Sequence, residues 1–337
     1  MTAKKITLTG ITTTGTPHLG NYVGAIRPSI AESQNGSGEH YYFLADYHAL
    51  IKCQDADLVK QSTLEIAATW LALGLNTDRA VFYRQSDIPE ITELAWLLNC
   101  VAAKGLLNRA HAYKDAVQKN EEAGQDPDYA ITMGLFSYPV LMAADILMFN
   151  ATHVPVGKDQ IQHIEMARDM AQRFNHLYGK GLLNIPEAVV DDRVAVLQGL
   201  DGRKMSKSYS NTIPLFSGEK KLRKNINKIK TNLKEPGEPK NPDDSVVFQI
   251  WQAFADKEKT DWMRQQFEQG IAWGEAKKQL FELINGQLAE AREHYDALIA
   301  DPAKIEAELL AGAERARNKA IPTIKALREA VGIKPLG

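Results

Sequence analysis

A histidine set among glycines is the first group in this chain with chemistry to offer. Gly10-Ile11-Thr12-Thr13-Thr14-Gly15-Thr16-Pro17-His18-Leu19-Gly20-Asn21 follows a short β-branched run, Ile6 to Thr9, and opens a helix-like segment from about Asn21. Glycines let a backbone approach a ligand closely, and a helix N-terminus offers unpaired N–H donors to an anion. His18 would add a donor to a phosphate oxygen as charge shifts in a transition state. The spacing is neither the Walker pattern nor GxGxxG, and the same string also reads as a glycine- and threonine-rich turn with no ligand. A second signal is Leu200-Asp201-Gly202-Arg203-Lys204-Met205-Ser206-Lys207-Ser208. Here two lysines flank a Met-Ser pair in a stretch that reads as a mobile loop. Ammonium donors on such a loop can close over a leaving pyrophosphate late in a reaction. A merely solvated basic loop is the competing reading. A third is Asp145, in the middle of the apolar run from Tyr138 to Phe149. A buried carboxylate without a partner is costly, so it should meet a donor, whether a ligand, the backbone or an arginine.

Elements able to position these groups alternate through the first half. Ile6 to Thr9, Tyr41 to Ala45 and Ala80 to Tyr83 read as buried strands. Helical patterns run from Asp57 to Leu73, with Leu58, Ile66, Trp70 and Leu73 on one face, and from about Pro89 to Cys100. Strands separated by helices of this length predict a parallel, doubly wound sheet, whose strand ends and following turns are where phosphates bind. From about Glu219 helical periodicity takes over, through Val246–Ala255, Lys259–Gln269, Gly274–Ile299, Pro302–Leu310 and Ala311–Ala330. That predicts a helical second domain.

Composition narrows the class. A chain of 337 residues with 44% apolar and 24% charged residues is long enough for two globular domains. The formal net charge of -2 provides no global basic field, so no DNA partner is expected and any RNA contact must come from a local patch. One patch is the stripe Lys220, Lys221, Arg223, Lys224, Lys228, Lys230 and Lys234, which reads equally as a solvated helix face. Cys53 and Cys100 lack CxxC spacing, which argues against a zinc site or disulfide framework and for two buried thiols in a reduced compartment. No metal site, signal peptide or membrane span is expected, and the reading is cytoplasmic.

The glycine turn and the lysine loop together resemble the class I aminoacyl-tRNA synthetases. Pro17 to Asn21 looks like their HIGH motif, and Lys204 to Ser208 reads KMSKS letter for letter. Within that family the strings Tyr138 to Leu147, Val154 to Glu165 and Gly312 to Ala316 resemble the tryptophanyl enzymes, over nearly the whole chain. The resemblance implies an α/β fold: a Rossmann-like catalytic domain of the HUP type over residues 1–198, with a connecting insertion at about 90–150. The KMSKS loop would span 199–215, and an all-helical anticodon-binding domain with a C-terminal helix would span 216–337. It implies ligation of L-tryptophan to tRNA(Trp) through tryptophanyl-adenylate, with ATP and its Mg2+ consumed as a complex, in a homodimer.

Carried over residue by residue, the resemblance gives His18, Lys204 and Lys207 the transition-state charge. ATP would meet Thr12, Thr13, Thr14, Gly20, Asn21, Gly157, Lys158, Asp159, Val196, Met205, Ser206 and Ser208 as well as the two lysines. Tryptophan would meet Leu8, Gly10, His48, Tyr138, Met142, Val154, Val156 and Gln160, with its indole N–H on Asp145. The turn departs from the commonest pattern, since Thr12-Thr13-Thr14 stands where Gln-Pro-Ser is usual, and Thr12 is too short to copy a glutamine contact. Lys114 and Lys119 are candidates to reach ATP, and Trp251 and Phe254 are at hand for stacking on anticodon bases. Three rival readings are a tyrosyl enzyme, a HIGH-bearing nucleotidyltransferase and a non-catalytic RNA-binding paralogue. The strings around Asp145 and Gln160 oppose the first, the long helical half opposes the second and the intact lysine loop opposes the third.

Overall fold

The computed structural model describes residues 5–157, 160–190 and 196–336. Five strands form one parallel sheet: β1 (Ile6–Thr12), β2 (Glu39–Ala45), β3 (Ala80–Arg84), β4 (His153–Val156) and β5 (Glu187–Val190). Their order is β3-β2-β1-β4-β5, so the chain reverses direction across the sheet between β1 and β4, and the crevice there is the standard ligand site of such sheets. β1 runs three residues further than the β-branched run predicts. Its ladder with β2 continues from Ile6↔Glu39 to Thr12↔Ala45, and main-chain pairing carries the strand through Gly10.

The helices are α1 (Leu19–Asn21), continued by a π-helical turn Tyr22–Ile26 into α2 (Arg27–Asn35), then α3 (Asp46–Ala49), α4 (Ala56–Ala72), α5 (Pro89–Asn99), α6 (Lys104–Leu107), α7 (His111–Glu122), α8 (Met133–Met148) and α9 (Ile161–Tyr178). The second half adds α10 (Glu219–Asn227), α11 (Val246–Phe254), α12 (Lys257–Glu268), α13 (Trp273–Ala300) and α14 (Pro302–Ala330). Strand alternation divides the core between the two faces of the sheet. Tyr41, Phe43, Val81 and Tyr83 pack with α5, α8 and α9 on one face. Tyr42, Leu44, Ala80 and Phe82 pack with Ile66 and Trp70 of α4 on the other. A third core belongs to α10–α13 and also takes in Leu19, Val23 and Met205, so the helical half is welded to both phosphate-binding signals of the sequence.

Three expectations change. Leu58 was expected on the buried face of its helix, but it is 45% exposed and lines the open cleft at the carboxyl ends of the strands. Cys53 is half-buried and Cys100, at the solvent end of α5, is exposed, so neither is the buried thiol expected. Pro302–Leu310 and Ala311–Ala330 are one helix, α14, which leaves the helical half and returns to the sheet. There it covers the open edge of β3, a protection that exposed strand edges need. Its approach is so close that a Cβ on Gly312 would lie 1.7 Å from the Phe82 carbonyl oxygen and 2.6 Å from its carbon. Both atoms are backbone and cannot rotate away. Gly312→Ala must therefore lift the helix off the strand and should lower unfolding free energy by about 1–3 kcal/mol, the range for overpacking. Denaturant unfolding measures it, and a variant as stable as the parent refutes the close contact.

Candidate active site

The turn after β1 is held from two sides. Gly15 takes φ +74°, a left-handed conformation that favours glycine, and its N–H donates to Ser62 Oγ at 2.7 Å. Pro17 to Leu19 then pairs with the segment beyond the lysine loop. Leu19 N–H donates to the Ile213 carbonyl and Leu215 N–H to the Pro17 carbonyl, each at 3.0 Å. His18 caps α1 reciprocally: its Nδ1 accepts from Asn21 N–H at 3.3 Å and its own N–H donates to Asn21 Oδ1 at 3.0 Å. An accepting Nδ1 leaves the ring proton on Nε2, free to donate. Burial, reinforced by the charge of Lys207, lowers the His18 pKa from 6.5 to about 4. The imidazole is thus neutral at pH 7, a hydrogen-bond donor and not a fixed cation.

The lysine loop lies across this turn. Met205 is its buried anchor, in the core shared with Leu19. Asn211, 2% exposed, holds the rest: its Oδ1 accepts from Ser206 N–H at 2.8 Å, and its Nδ2 donates to Asp201 Oδ1 at 2.7 Å and to the Lys204 carbonyl at 3.1 Å. Those bonds, Asn211 first and Arg203 after it, lower the exposed Asp201 carboxyl to about 2. Lys207 Nζ donates to the carbonyls of Gly15 (2.8 Å) and Thr14, which ties loop to turn. Ser206 and Ser208 bond each other at 2.9 Å.

Two clefts open at the carboxyl ends of the strands. One, of about 550 Å³, is lined by Thr12, Thr14, His18, Gly20, Asn21, Val196, Lys204, Met205, Ser206 and Lys207. The other, of about 930 Å³ and mostly apolar, takes all nine residues read as a side-chain pocket: Leu8, Gly10, His48, Tyr138, Met142, Asp145, Val154, Val156 and Gln160. Gly157 joins this second cleft and not the first. Gly10, Thr12, Thr14 and Lys207 line both, so the clefts meet at the end of β1. Thr13 is buried and Ser208 turns to Ser206, so neither lines a cleft; Lys158 and Asp159 lie outside the described residues. Lys114 and Lys119 stand exposed on α7 and line neither cleft. Trp251 and Phe254, expected to be free for stacking, are buried at 4% and 5% in the core of the helical half. Their apolar rings close that core, and the Trp251 indole N–H is spent on the Lys259 carbonyl at 3.1 Å.

Asp145 meets side-chain partners from two other elements. His48 Nε2 lies 2.9 Å from Oδ2, and Gln85 Nε2 donates to Oδ1 and Oδ2 at 2.8 and 2.9 Å. Burial raises the Asp145 carboxyl, while the His48 and Gln85 bonds pull it down. Gln85, fully buried at the end of β3, was missed in the sequence. Its place just after a strand is the signal that could have found it. His163, which bonds the Tyr138 hydroxyl at 2.6 Å, was quoted only as part of a string, and Asn211 carried no sequence signal at all.

The family described as tRNA synthetases class I (W and Y) matches residues 2–289. A tryptophan–tRNA ligase of Pseudomonas aeruginosa is 63% identical over 331 residues, which are 98% of this chain and 74% of that protein. The tryptophan–tRNA ligase of Neisseria meningitidis is 59% identical over 99% of both chains. Among solved structures, the tryptophanyl-tRNA synthetase of Campylobacter jejuni complexed with ADP and tryptophan superposes with a TM-score of 0.89 at 42% identity. That match covers 97% of this chain and 99% of the other.

Two outcomes follow from the geometry. The folded state binds a proton on His18 less readily than the unfolded chain, so this group's contribution to stability is full above pH 6.5. It is lost as pH falls from there toward 4. A ring resonance titrating near 4 in NMR agrees; a midpoint at 6.5 contradicts the buried, neutral ring. Replacing Asn211 with Ala should free the lysine loop while the second cleft stays intact. The rate of any phosphate-transfer step should fall by roughly tenfold or more, as when a positioned donor is lost, with the KM of the second-cleft ligand nearly unchanged. Steady-state kinetics decide, and a purely KM effect rejects the tether.

Proposed function

The chain belongs to the class I tRNA synthetases of the tryptophan and tyrosine family, and from that premise we propose which cleft holds which substrate. It joins tryptophan to tRNA at the expense of ATP. In our reading ATP occupies the cleft of His18, Val196 and Lys204, carrying its Mg2+ on the phosphates. Tryptophan occupies the apolar cleft of Tyr138, Met142 and Asp145. The observation that carries this assignment is the shared wall: Gly10, Thr12, Thr14 and Lys207 line both clefts, so two ligands would bring their reacting groups together there.

The tryptophan carboxylate attacks the α-phosphorus in line, a new P–O bond forms, and the bond to the leaving pyrophosphate breaks. The nucleophile is already an anion, so no general base is required; positioning and electrostatic stabilisation carry the step. The neutral Nε2–H of His18 and the ammonium groups of Lys204 and Lys207 face charge that grows on the departing phosphates. A ribose hydroxyl of the tRNA 3′ end then attacks the acyl carbon and releases AMP.

Specificity rests on Asp145. The carboxylate is oriented by Gln85 and His48, and an indole N–H satisfies it where a phenyl ring would leave it short of a donor, a strong basis for rejection. Tyr138, fixed by His163, forms a wall of the same cleft. We assign α10–α13 to anticodon binding, and the exposed basic side chains of α10 support a phosphate contact there. Dimerisation is part of the same proposal, supported by Trp96, Tyr129 and Met133, which stand 68%, 59% and 72% exposed on α5 and near the start of α8. No helix among the described residues is long and apolar enough to cross a membrane.

Tryptophan-dependent exchange of pyrophosphate into ATP tests the assignment. Parent enzyme should exchange with tryptophan and not with phenylalanine or tyrosine. Asp145→Ala should raise the tryptophan KM by roughly 10- to 100-fold, the worth of a bond to a charged group, with a smaller loss in kcat. Exchange with tyrosine only, or none with any amino acid, overturns the reading.

A further inference from the structure

Transfer to tRNA needs a third ligand beside the two clefts, because the ribose of the tRNA 3′ end must reach the acyl carbon. The second cleft has the room. Its volume of about 930 Å³ stands near the top of the range of roughly 300–1,000 Å³ for small-molecule sites, and one amino acid fills only part of it. Beyond the nine residues of the side-chain pocket, its lining takes in Ile51, Lys52, Cys53 and Leu58, from the α3–α4 connection and the first turn of α4. Ala112 and Leu135, near the starts of α7 and α8, complete this part. Leu58 and Lys52 are exposed, so these residues form the mouth. Five of the six side chains are apolar and the sixth is a cation. Among the described residues, Asp145 is the only carboxylate in the whole lining.

Local bonds hold the mouth in shape. The N–H groups of Lys52 and Cys53 donate to the Ala49 carbonyl at 3.1 and 3.0 Å, and Asp55 Oδ1 caps α4 by accepting from Leu58 N–H at 3.0 Å. Leu58 also lies one helical turn before Ser62, whose Oγ accepts from Gly15 N–H at 2.7 Å. The Gly15 carbonyl in turn accepts from Lys207, a residue of the shared wall. The apolar mouth is thus about one turn of helix from the turn after β1, against which the two ligands would react.

We propose that this mouth binds the 3′-terminal adenosine of the tRNA, with its base against Ile51, Leu58 and Leu135 and the preceding phosphate facing Lys52. An apolar concavity with a lysine at its rim suits the flat face of a base joined to a phosphate. A wall already ordered by its own backbone bonds adds little ordering cost to binding. The inference rests on the assignment of tryptophan to this cleft. In the step it serves, the ribose hydroxyl oxygen forms an ester bond to the acyl carbon. The bond from that carbon to the AMP phosphate oxygen breaks, and the hydroxyl proton leaves with AMP.

The test is single-turnover transfer from preformed tryptophanyl-adenylate to tRNA, with tryptophan-dependent pyrophosphate exchange, which needs no tRNA, measured beside it. Leu58→Ser should lower transfer efficiency by roughly five- to tenfold, as for a lost base contact. Lys52→Met should raise the half-saturating tRNA concentration roughly threefold and flatten its salt dependence. Exchange should be unchanged in both variants. Intact tRNA should bind Leu58→Ser more weakly than parent, whereas tRNA lacking its terminal adenosine should bind the two equally. Transfer at the parental rate in both variants overturns the proposal. So does a Leu58→Ser defect that persists with the truncated tRNA or appears equally in exchange. A parent enzyme without tryptophan-dependent exchange overturns instead the assignment of the clefts on which the proposal rests.

Discussion

Two backbone hydrogen bonds, Leu19 N–H to the Ile213 carbonyl and Leu215 N–H to the Pro17 carbonyl, join segments almost two hundred residues apart. Much of the geometry of the His18–Lys204 cleft depends on that pairing. It brings the exit of the lysine loop against the entry of α1, so Lys204 and Lys207 cannot be placed independently of His18. Met205 adds an apolar anchor in the same core as Leu19, and the buried Asn211 holds the loop backbone at Ser206 and Lys204.

The substrate side shows the opposite arrangement. Asp145 sits buried on the apolar helix α8, where a bare carboxylate would be too costly to keep. Gln85 from the end of β3 and His48 from α3 reach it from other elements, so the charge is held in place by the convergence of three parts of the fold. Such a carboxylate is partly satisfied before any ligand arrives. In the proposed reading it would discriminate by geometry and by its remaining acceptor capacity, not by raw charge.

The doubly wound sheet was legible because strand and helix periods alternate cleanly from Ile6 to Cys100, and the all-helical turn after Glu219 was equally plain. The side-chain pocket was legible only through resemblance: Leu8, His48, Met142 and Val156 read by themselves as ordinary packing residues, and nothing local distinguishes them. Thr13 and Thr14 show the limit of reading a motif as a block. They are neighbours of the same type, yet in the turn that follows β1 one is buried and the other lines the clefts. Trp251 and Phe254 misled for a related reason, since an aromatic side chain in a helix reads the same whether it faces a core or a ligand.

What the residues offered by themselves was candidate chemistry, with the class supplied by resemblance: an intact Lys204-Met205-Ser206-Lys207-Ser208 string, a glycine turn with a histidine donor, and a carboxylate in an apolar helix. These are local properties, readable because each depends only on residue type and short-range spacing. The tertiary structure decided what depends on distant segments meeting. Gln85 partners Asp145, Asn211 tethers the lysine loop, and α14 returns to seal the edge of β3 at Gly312. Each of these is a contact across long sequence separation, and no periodicity or propensity along the chain records it.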